Sequence, residues 1–292
     1  MKVAIFGSGG QLGRAVAATL ATTHEVVAVD HDRADIRHAS AIADVVHAAQ
    51  PDWVINSAAM THVDRCENDP LAAFEINALG ARNVARACAD AGVRLLHVST
   101  DYVFDGEKSS AYVEDDATGP VNAYGVSKLA GEYFVRADCP AHVIVRTSGL
   151  YGWHVCRGKG SNFAEAILAR ARQGQALRVV SDERLTPTFT DDLARQLVVI
   201  MEGGAPSGTY HATNAGSCSW FEFASEVLRL AGVTASIQPI AASEWKSPTR
   251  RPANSVLENR ALDKLGLDAM PDWHDAVARY IAARDDKAGA AA

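Results

Sequence analysis

Lys2-Val3-Ala4-Ile5-Phe6 runs directly into Gly7-Ser8-Gly9-Gly10-Gln11-Leu12-Gly13, and a helical stretch follows from Arg14 to Thr22. The first segment reads as a short buried strand. Glycines 7, 10 and 13 then give the spacing G-x-x-G-x-x-G in a strand-to-helix turn. Such a turn lets backbone N–H groups and a helix N-terminus meet a pyrophosphate, and the third glycine allows helix and strand to pack closely. Working outward, the next strand, Glu25 to Val29, ends in Asp30. An acid at that place can accept hydrogen bonds from an adenosine ribose.

The alternation continues along the chain. Apolar segments at 2–6, 25–29, 53–55, 94–98 and 142–146 are separated by helical stretches. That pattern predicts an α/β fold with a doubly wound parallel sheet of the Rossmann kind. Residues 70–91 read as one helix, with Pro70 near its start and Gly92 just past its end. Asn122 is placed to cap the helix after it. Beyond residue 150 the pattern loosens. Residues 153–161 read as a loop, Phe163 to Gln173 as a helix and Leu177 to Val180 as a strand. Asp191 to Met201 reads as a helix and Thr209 to His211 as a strand. Residues 285–292 read as a frayed tail.

The chemistry sits in two further stretches. In His97-Val98-Ser99-Thr100-Asp101-Tyr102-Val103-Phe104-Asp105-Gly106, a buried strand from Arg94 to Val98 runs out into hydroxyl and carboxylate groups. Ligands of open α/β sheets sit at the carboxyl ends of strands, so Ser99 and Thr100 belong in the crevice of the glycine-rich turn. Tyr124-Gly125-Val126-Ser127-Lys128 follows. Residues four apart on a helix share a face. An ammonium beside a phenol favours the phenolate and lowers its pKa from about 10. Tyr124 is then a candidate general acid or base near neutral pH. Either Ser99 or Thr100 could hydrogen-bond a substrate oxygen as Tyr124 transfers a proton. A surface Tyr–Lys pair would show the same spacing; the glycine turn and the hydroxyl-bearing strand end give this pair a site to serve.

Composition narrows the field. The 292 residues suit one domain with a smaller lobe, and 48% hydrophobic with 22% charged residues is ordinary for a globular chain. A net charge of −7 without a basic run argues against a nucleic-acid partner. No apolar stretch reaches the length of a membrane span. The chain enters a strand at residue 2, which predicts no signal peptide. Five cysteines (Cys66, Cys88, Cys139, Cys156 and Cys218) show no C-x-x-C pair, as expected for reduced thiols in a cytoplasmic protein. The ten histidines show no metal-ligand spacing.

Taken together, these motifs resemble the extended short-chain dehydrogenase/reductases, and within them the dTDP-4-dehydrorhamnose reductase branch. Ala58-Ala59-Met60-Thr61-His62-Val63-Asp64, Gly158-Lys159-Gly160-Ser161-Asn162-Phe163, Thr186-Pro187-Thr188 and Arg251-Pro252-Ala253-Asn254-Ser255 agree, in the family's order, from residue 1 to about 284. The resemblance implies that the helix 191–201 and strand 209–211 rejoin the sheet. The expected division is residues 1–150, rejoined by about 188–213, as dinucleotide-binding domain. Residues 151–187 and 214–284 would form a smaller, sequence-interleaved substrate lobe.

The resemblance also implies a cofactor, NADPH or NADH, with Gly7, Gly10, Gln11 and Leu12 under its pyrophosphate. Asp30 would lie near the adenosine ribose, Asp35 and Ile36 near the adenine, and Ala58, Ala59 and Thr61 along the nicotinamide side. Asp30 would repel a 2′-phosphate, whereas Arg33 and Arg37 could attract one. Tyr124 would protonate the alkoxide formed from a ketone, Lys128 would contact the nicotinamide ribose and tune Tyr124, and Thr100 would hold the ketone oxygen. The implied reaction converts dTDP-4-dehydro-L-rhamnose to dTDP-L-rhamnose. Asp101, Tyr102 and Phe104 are the expected contacts to sugar or base. Lys159, Asn162, Arg251 and Asn254 are those to the nucleotide, and Trp153 or Trp220 could stack on thymine.

Two departures stand out. Gly149 occupies the place where the family usually has a tryptophan near the substrate, and the loop after it, from Trp153, is longer than usual. Some members bridge a homodimer through magnesium held by three glutamates; the matching positions here are Ala15, Glu67 and Asp191, so no metal is expected. Alternative functions are another NDP-4-ketosugar reductase, epimerase or dehydratase, the last kept open by Asp101, and a non-enzymatic binding protein like the regulatory subunit of methionine adenosyltransferase.

Overall fold

Val3 to Phe6 are fully buried, and they form the second strand from one edge of a six-stranded sheet. The computed structural model describes residues 1–154, 160–245 and 247–289. Its central strands are β1 (Lys2–Phe6), β2 (Glu25–Val29), β3 (Trp53–Asn56), β4 (Arg94–Thr100) and β5 (His142–Thr147). The strand Gly208–His211 closes the far edge beside β5. The order is β2-β1-β3-β4-β5 and then Gly208–His211, and every neighbouring pair is parallel. The chain steps outward from β1 to β2 and returns to the other side of β1 with β3. That reversal opens a crevice beyond the carboxyl ends of β1 and β3.

Alternate residues of β1 face opposite layers, as a strand's period of two requires. Val3 and Ile5 pack with α1 (Gln11–Leu20) and the helix Thr190–Glu202, where Leu193, Leu197 and Ile200 are fully buried. Ala4 and Phe6 pack with α2 (Ala39–Ala49) and the helix Ala81–Ala91. Strand β4 runs two residues beyond the expected Val98. Its register with β5 continues through Ser99↔Arg146 and Thr100↔Thr147, so both hydroxyl residues are strand residues.

The helix expected over 70–91 is not uniform. Pro70–Phe74 and Ala81–Ala91 are α-helical, but Glu75–Gly80 forms a π-helical turn. The extra residue turns Asn77 inward, where its Oδ1 accepts from the Met60 N–H (2.8 Å). Its Nδ2 donates to the Met60 carbonyl and to Ser127 Oγ, both at 3.0 Å. Apolar periodicity reports an average of 3.6 residues per turn and does not show a single wide turn.

Residues after 150 contribute a separate apolar cluster around Tyr151, Leu168, Phe189, Phe223, Val227 and Tyr280. Leu177–Val180 forms as expected and pairs in parallel with Ile237–Ile240. The helix Trp220–Leu230 begins with a capping box between Ser219 and Glu222. The final helix, Trp273–Gly289, continues past residue 285, where the sequence predicts a tail. Tyr280 anchors it, its hydroxyl donating to Glu165 Oε1 at 2.7 Å.

Candidate active site

A cavity of about 570 Å³ opens at the carboxyl ends of the central strands. Gly10 to Gly13 line one side, the ends of β4 and β5 and the helix Ala123–Asp138 line the floor, and Arg178, Arg184, Trp220 and Arg251 face it from the later residues.

The glycine turn has a division of labour. Gly7 has φ +80°, and a Cβ there would lie 2.6 Å from the Ala58 nitrogen. Its job is to let the end of β3 approach the turn. A Cβ on Gly13 would overlap the Gly7 carbonyl oxygen, so α1 packs onto the turn only because residue 13 has none. Gly10, Gln11 and Leu12 line the cavity. Gln11 Nε2 is buried without a hydrogen-bond partner among the described residues. A buried amide N–H in this state calls for a polar ligand atom. Together with the open N-terminus of α1, it fits a dinucleotide pyrophosphate.

Ala59 and Thr61 also line the cavity. Ala58 does not: it backs against Gly7, and its N–H donates to Asn56 Oδ1 at 3.2 Å. The expected adenosine contacts lie outside the cavity, on the segment after β2. Asp30 Oδ1 accepts from the Arg33 N–H (3.3 Å). Asp35 is held by Arg37 through Nε and Nη2, at 2.8 and 2.5 Å, which lowers its pKa. Ile36 is buried against Gly80. Arg33 donates to the Ala28 carbonyl (2.9 Å), so both arginines that could meet a 2′-phosphate have protein partners here.

Thr100, Tyr124 and Lys128 all face the one cavity. Asn122 caps the helix as expected, its Oδ1 accepting from the Gly125 N–H (2.9 Å). Lys128 is 2% exposed and donates from Nζ to the Val98 carbonyl at 2.7 Å. Burial pulls its pKa down to about 8, with the Glu132 carboxylate opposing. Thr100 Oγ1 donates to Asp101 Oδ1 (2.9 Å), and Ser148 Oγ donates to Asp101 Oδ2 (2.8 Å). Burial raises the Asp101 pKa, against hydrogen bonds from Ser255, Ser148 and Thr100. The Tyr102 ring meets Tyr124 edge-on at 5.8 Å.

Several expected substrate contacts have other positions. Phe104 is fully buried and stacks on Tyr112 at 4.3 Å, turned from the cavity by the short helical turn Asp101–Val103. Trp153 packs in the later cluster, 4.6 Å from the Tyr280 ring, and its indole donates to Asp191 Oδ2 (3.0 Å). Asn254 Nδ2 donates to the carbonyls of Lys108 and Ser110 and so clamps a loop. Asn162 lines the cavity, but its amide caps the helix Phe163–Arg172 and donates to the Gly152 carbonyl at 2.7 Å. Lys159 lies outside the described residues. Asp101, Tyr102 and Arg251 line the cavity as expected, with Arg251 3.3 Å from Asp64 Oδ1.

Gly149 has φ +56°, and a Cβ would sit 2.8 Å from Leu185 Cδ1 and 2.9 Å from the Thr186 carbonyl oxygen. No side chain fits there, and Trp153 does not replace one. Trp220, packed on Phe163 at 4.6 Å, and Trp245 are the indoles that line the cavity. Of the three positions matched to a metal site, Ala15 is a core methyl, Glu67 accepts from the Ala123 N–H and Asp191 accepts from Trp153.

Sequence reasoning passed over Ser148, Thr147, Arg178, Arg184 and Glu132. Thr147 lines the cavity with a buried Oγ1 that has no partner among the described residues. Only Glu132 carried a readable signal, the four-residue step from Lys128. The others come from segments distant in sequence.

A parallel Rossmann sheet with a glycine turn and a Thr–Tyr–Lys constellation around one cavity defines an extended short-chain dehydrogenase/reductase. Residues 1–285 match the RmlD substrate binding domain family, and the chain belongs to it. It is 38% identical to a dTDP-4-dehydrorhamnose reductase of Burkholderia thailandensis, over 95% of this chain and 97% of that one. It is also 38% identical to the spore coat polysaccharide biosynthesis protein SpsK of Bacillus subtilis, over 97% and 98%. Among solved structures, a dTDP-4-dehydrorhamnose reductase of Clostridium acetobutylicum superposes with TM-score 0.92 at 38% identity, covering 98% of this chain and all of the other. The Bacillus anthracis dTDP-4-dehydrorhamnose reductase, solved in complex with NADP, gives 0.91 at 35%, covering 96% and 98%.

Proposed function

We propose that this chain reduces the 4-keto group of dTDP-4-dehydro-L-rhamnose with NADPH or NADH, giving dTDP-L-rhamnose. One observation carries the reading: Thr100, Tyr124 and Lys128 share a cavity with the glycine turn at one side and with Arg178, Arg184, Arg251 and Trp220 at the other. A dinucleotide and a nucleotide sugar can meet there with the reacting groups between them.

When bound, the reduced nicotinamide supplies the hydride to the ketone carbon. Gly10, Gln11 and Leu12 would bind the pyrophosphate. Tyr124 Oη gives its proton to the oxygen as it becomes an alkoxide, and the buried Lys128 ammonium stabilises the phenolate left behind. The Thr100 hydroxyl donates to Asp101 in this structure. To hold the ketone oxygen it swings toward the substrate, while Ser148 keeps Asp101 hydrogen-bonded. The new bond strengthens as charge develops on the oxygen. Arg178, Arg184 and Arg251 supply guanidinium forks for the diphosphate.

Asp101 is closed in by Thr100 and Ser148, which disfavours the proton abstraction a dehydratase would ask of it. A different dTDP-4-ketosugar is the reading to weigh, because Gly149 removes aromatic surface from the family's substrate wall. A cytoplasmic location belongs to the same proposal, as does a homodimer. The buried thiols of Cys66, Cys88, Cys139 and Cys218 fit the first. The deciding assay is NADPH and NADH oxidation against a panel of dTDP- and other NDP-4-ketosugars. Turnover confined to non-dTDP sugars, or none with any ketosugar, overturns the reading.

A further inference from the structure

Glu132 lies one turn beyond Lys128 and two beyond Tyr124, on the same helix face. Its side chain is fully buried. Oε1 accepts from Ser99 Oγ at 2.6 Å and from Arg146 Nε at 2.9 Å. Oε2 accepts from Arg146 Nη2 and from Arg136 Nη2, both at 2.8 Å. All four acceptor directions of the carboxylate are thus filled, which is the condition for a buried charge to be tolerated. The partners come from different elements. Ser99 is on β4, Arg146 is opposite it on β5, and Arg136 also donates to Thr209 Oγ1 on the edge strand at 3.1 Å.

The helix therefore holds β4 at two successive residues. Lys128 binds the Val98 carbonyl, and Glu132 binds the Ser99 hydroxyl. The next residue of β4 is Thr100, and Tyr124 is one turn back along the helix. Sliding the helix along the strand would break both contacts and change the distance between Tyr124 and Thr100.

We propose that Glu132 is a positioning residue of the reductase: its carboxylate locks the register of the Tyr124 helix on Ser99 and Thr100 and supplies the negative charge nearest Lys128 along that helix. The proposal rests on the reductase reading for its kinetic consequences, but its structural half does not need it. Around Lys128 the ionisable groups are Tyr124 and Glu132 on its own helix and His97 on β4. Burial holds His97 well below its ordinary pKa, with Lys128 adding to the effect, so it stays neutral. From β5, Arg146 acts through Glu132. From the turn after β4, Asp101 is tied to Thr100 and Ser148. On the opposite side, Arg82 and Arg86 of the helix Ala81–Ala91 pair with Asp138 at the far end of the helix. Burial tends to raise the Glu132 carboxyl, but Arg146, Ser99 and Arg136 outweigh it and hold it ionised. Without that charge, Lys128 is left in a buried group with two arginines that do not release protons. It would then lose its own proton at lower pH.

The test uses Glu132→Gln, Ser99→Ala and the wild-type protein. Lysine labelled with ¹³C at Cε reports the titration of Lys128 in each, with no cofactor or substrate present. The wild-type midpoint should fall near 8, and E132Q should lower it by about one unit or more, the scale of a close unit charge. In turnover, E132Q should lose about tenfold or more in kcat, with the alkaline limb moved to lower pH and NADPH affinity within about threefold. An unshifted Lys128 midpoint in folded E132Q overturns the proposal. So does kcat within about threefold of wild type across the pH range. If E132Q does not fold, Ser99→Ala decides: a fall in kcat of about fivefold or more with NADPH binding retained supports the lock, and wild-type kcat overturns it. Absence of turnover in the wild type counts against the reductase reading alone, since the NMR midpoints still decide the role of Glu132.

Discussion

Tyr124→Phe removes one oxygen and leaves the ring in place. The ring keeps its edge-on packing against Tyr102 at 5.8 Å, and the cap at Asn122 is untouched. Folding and NADPH binding should therefore match wild type. What is lost is the proton donor for the alkoxide. General acid catalysis contributes about 10²–10⁴-fold, or about 2.7–5.4 kcal/mol of barrier. The structure places a second acid in the same cavity: the Lys128 ammonium, whose pKa burial brings to about 8. With Tyr124 gone, it is the acid expected to supply the proton in its place. The loss near neutral pH should then lie toward the lower end, about 10²–10³-fold in kcat. The residual kcat of the variant should itself fall as pH rises through the Lys128 pKa of about 8, because the ammonium is lost. Stopped-flow NADPH oxidation across this range, with NADPH affinity from fluorescence as control, measures both effects. A Phe variant keeping more than about a tenth of wild-type kcat would show that Tyr124 is not the acid. A residual kcat that does not fall as pH crosses the Lys128 pKa would remove Lys128 as the substitute acid.

Three other outcomes follow from the same geometry. Gly10→Val should weaken NADPH binding more than folding, because residue 10 lines the cavity, and unchanged affinity by calorimetry in a folded variant would defeat the placement of the pyrophosphate. Gly149→Trp, which restores the family's usual residue, should destabilise rather than improve the enzyme. A positive φ costs about 1–3 kcal/mol and overpacking about 1–3 more, so a thermal midpoint at or above wild type would contradict the contacts with Leu185 and Thr186. EDTA should leave activity and the size-exclusion profile unchanged, since Ala15 offers no ligand and Glu67 and Asp191 have protein donors. A smaller species on chelation, reversed by magnesium, would reveal a metal interface.

The parallel sheet was legible because its signals are local. A strand, glycines at 7, 10 and 13 and a helix follow one another within twenty residues, and each constrains its neighbour. Tyr124, Lys128 and Asn122 were legible for the same reason, since helix periodicity and a cap act over one turn. Phe104 and Asn254 misled because residue type does not reveal direction. A short helical turn after β4 sends Phe104 into the core, and Asn254 closes a loop whose other end is about 145 residues away.

By itself, then, the sequence determined the fold class, the glycine turn after the first strand and the shared helix face of Tyr124 and Lys128, all of which rest on spacings of a few residues, whereas the choice of Thr100 over Ser99 came from the family resemblance. Only the tertiary structure decided that Gly7 serves packing, that Gly149 leaves no room for an indole and that Trp220 rather than Trp153 faces the cavity. It also decided that Glu132 ties Ser99, Arg146 and Arg136 together. The reason is physical: close packing and buried charge depend on what the rest of the chain brings to a residue, and no local pattern in the sequence carries that distance.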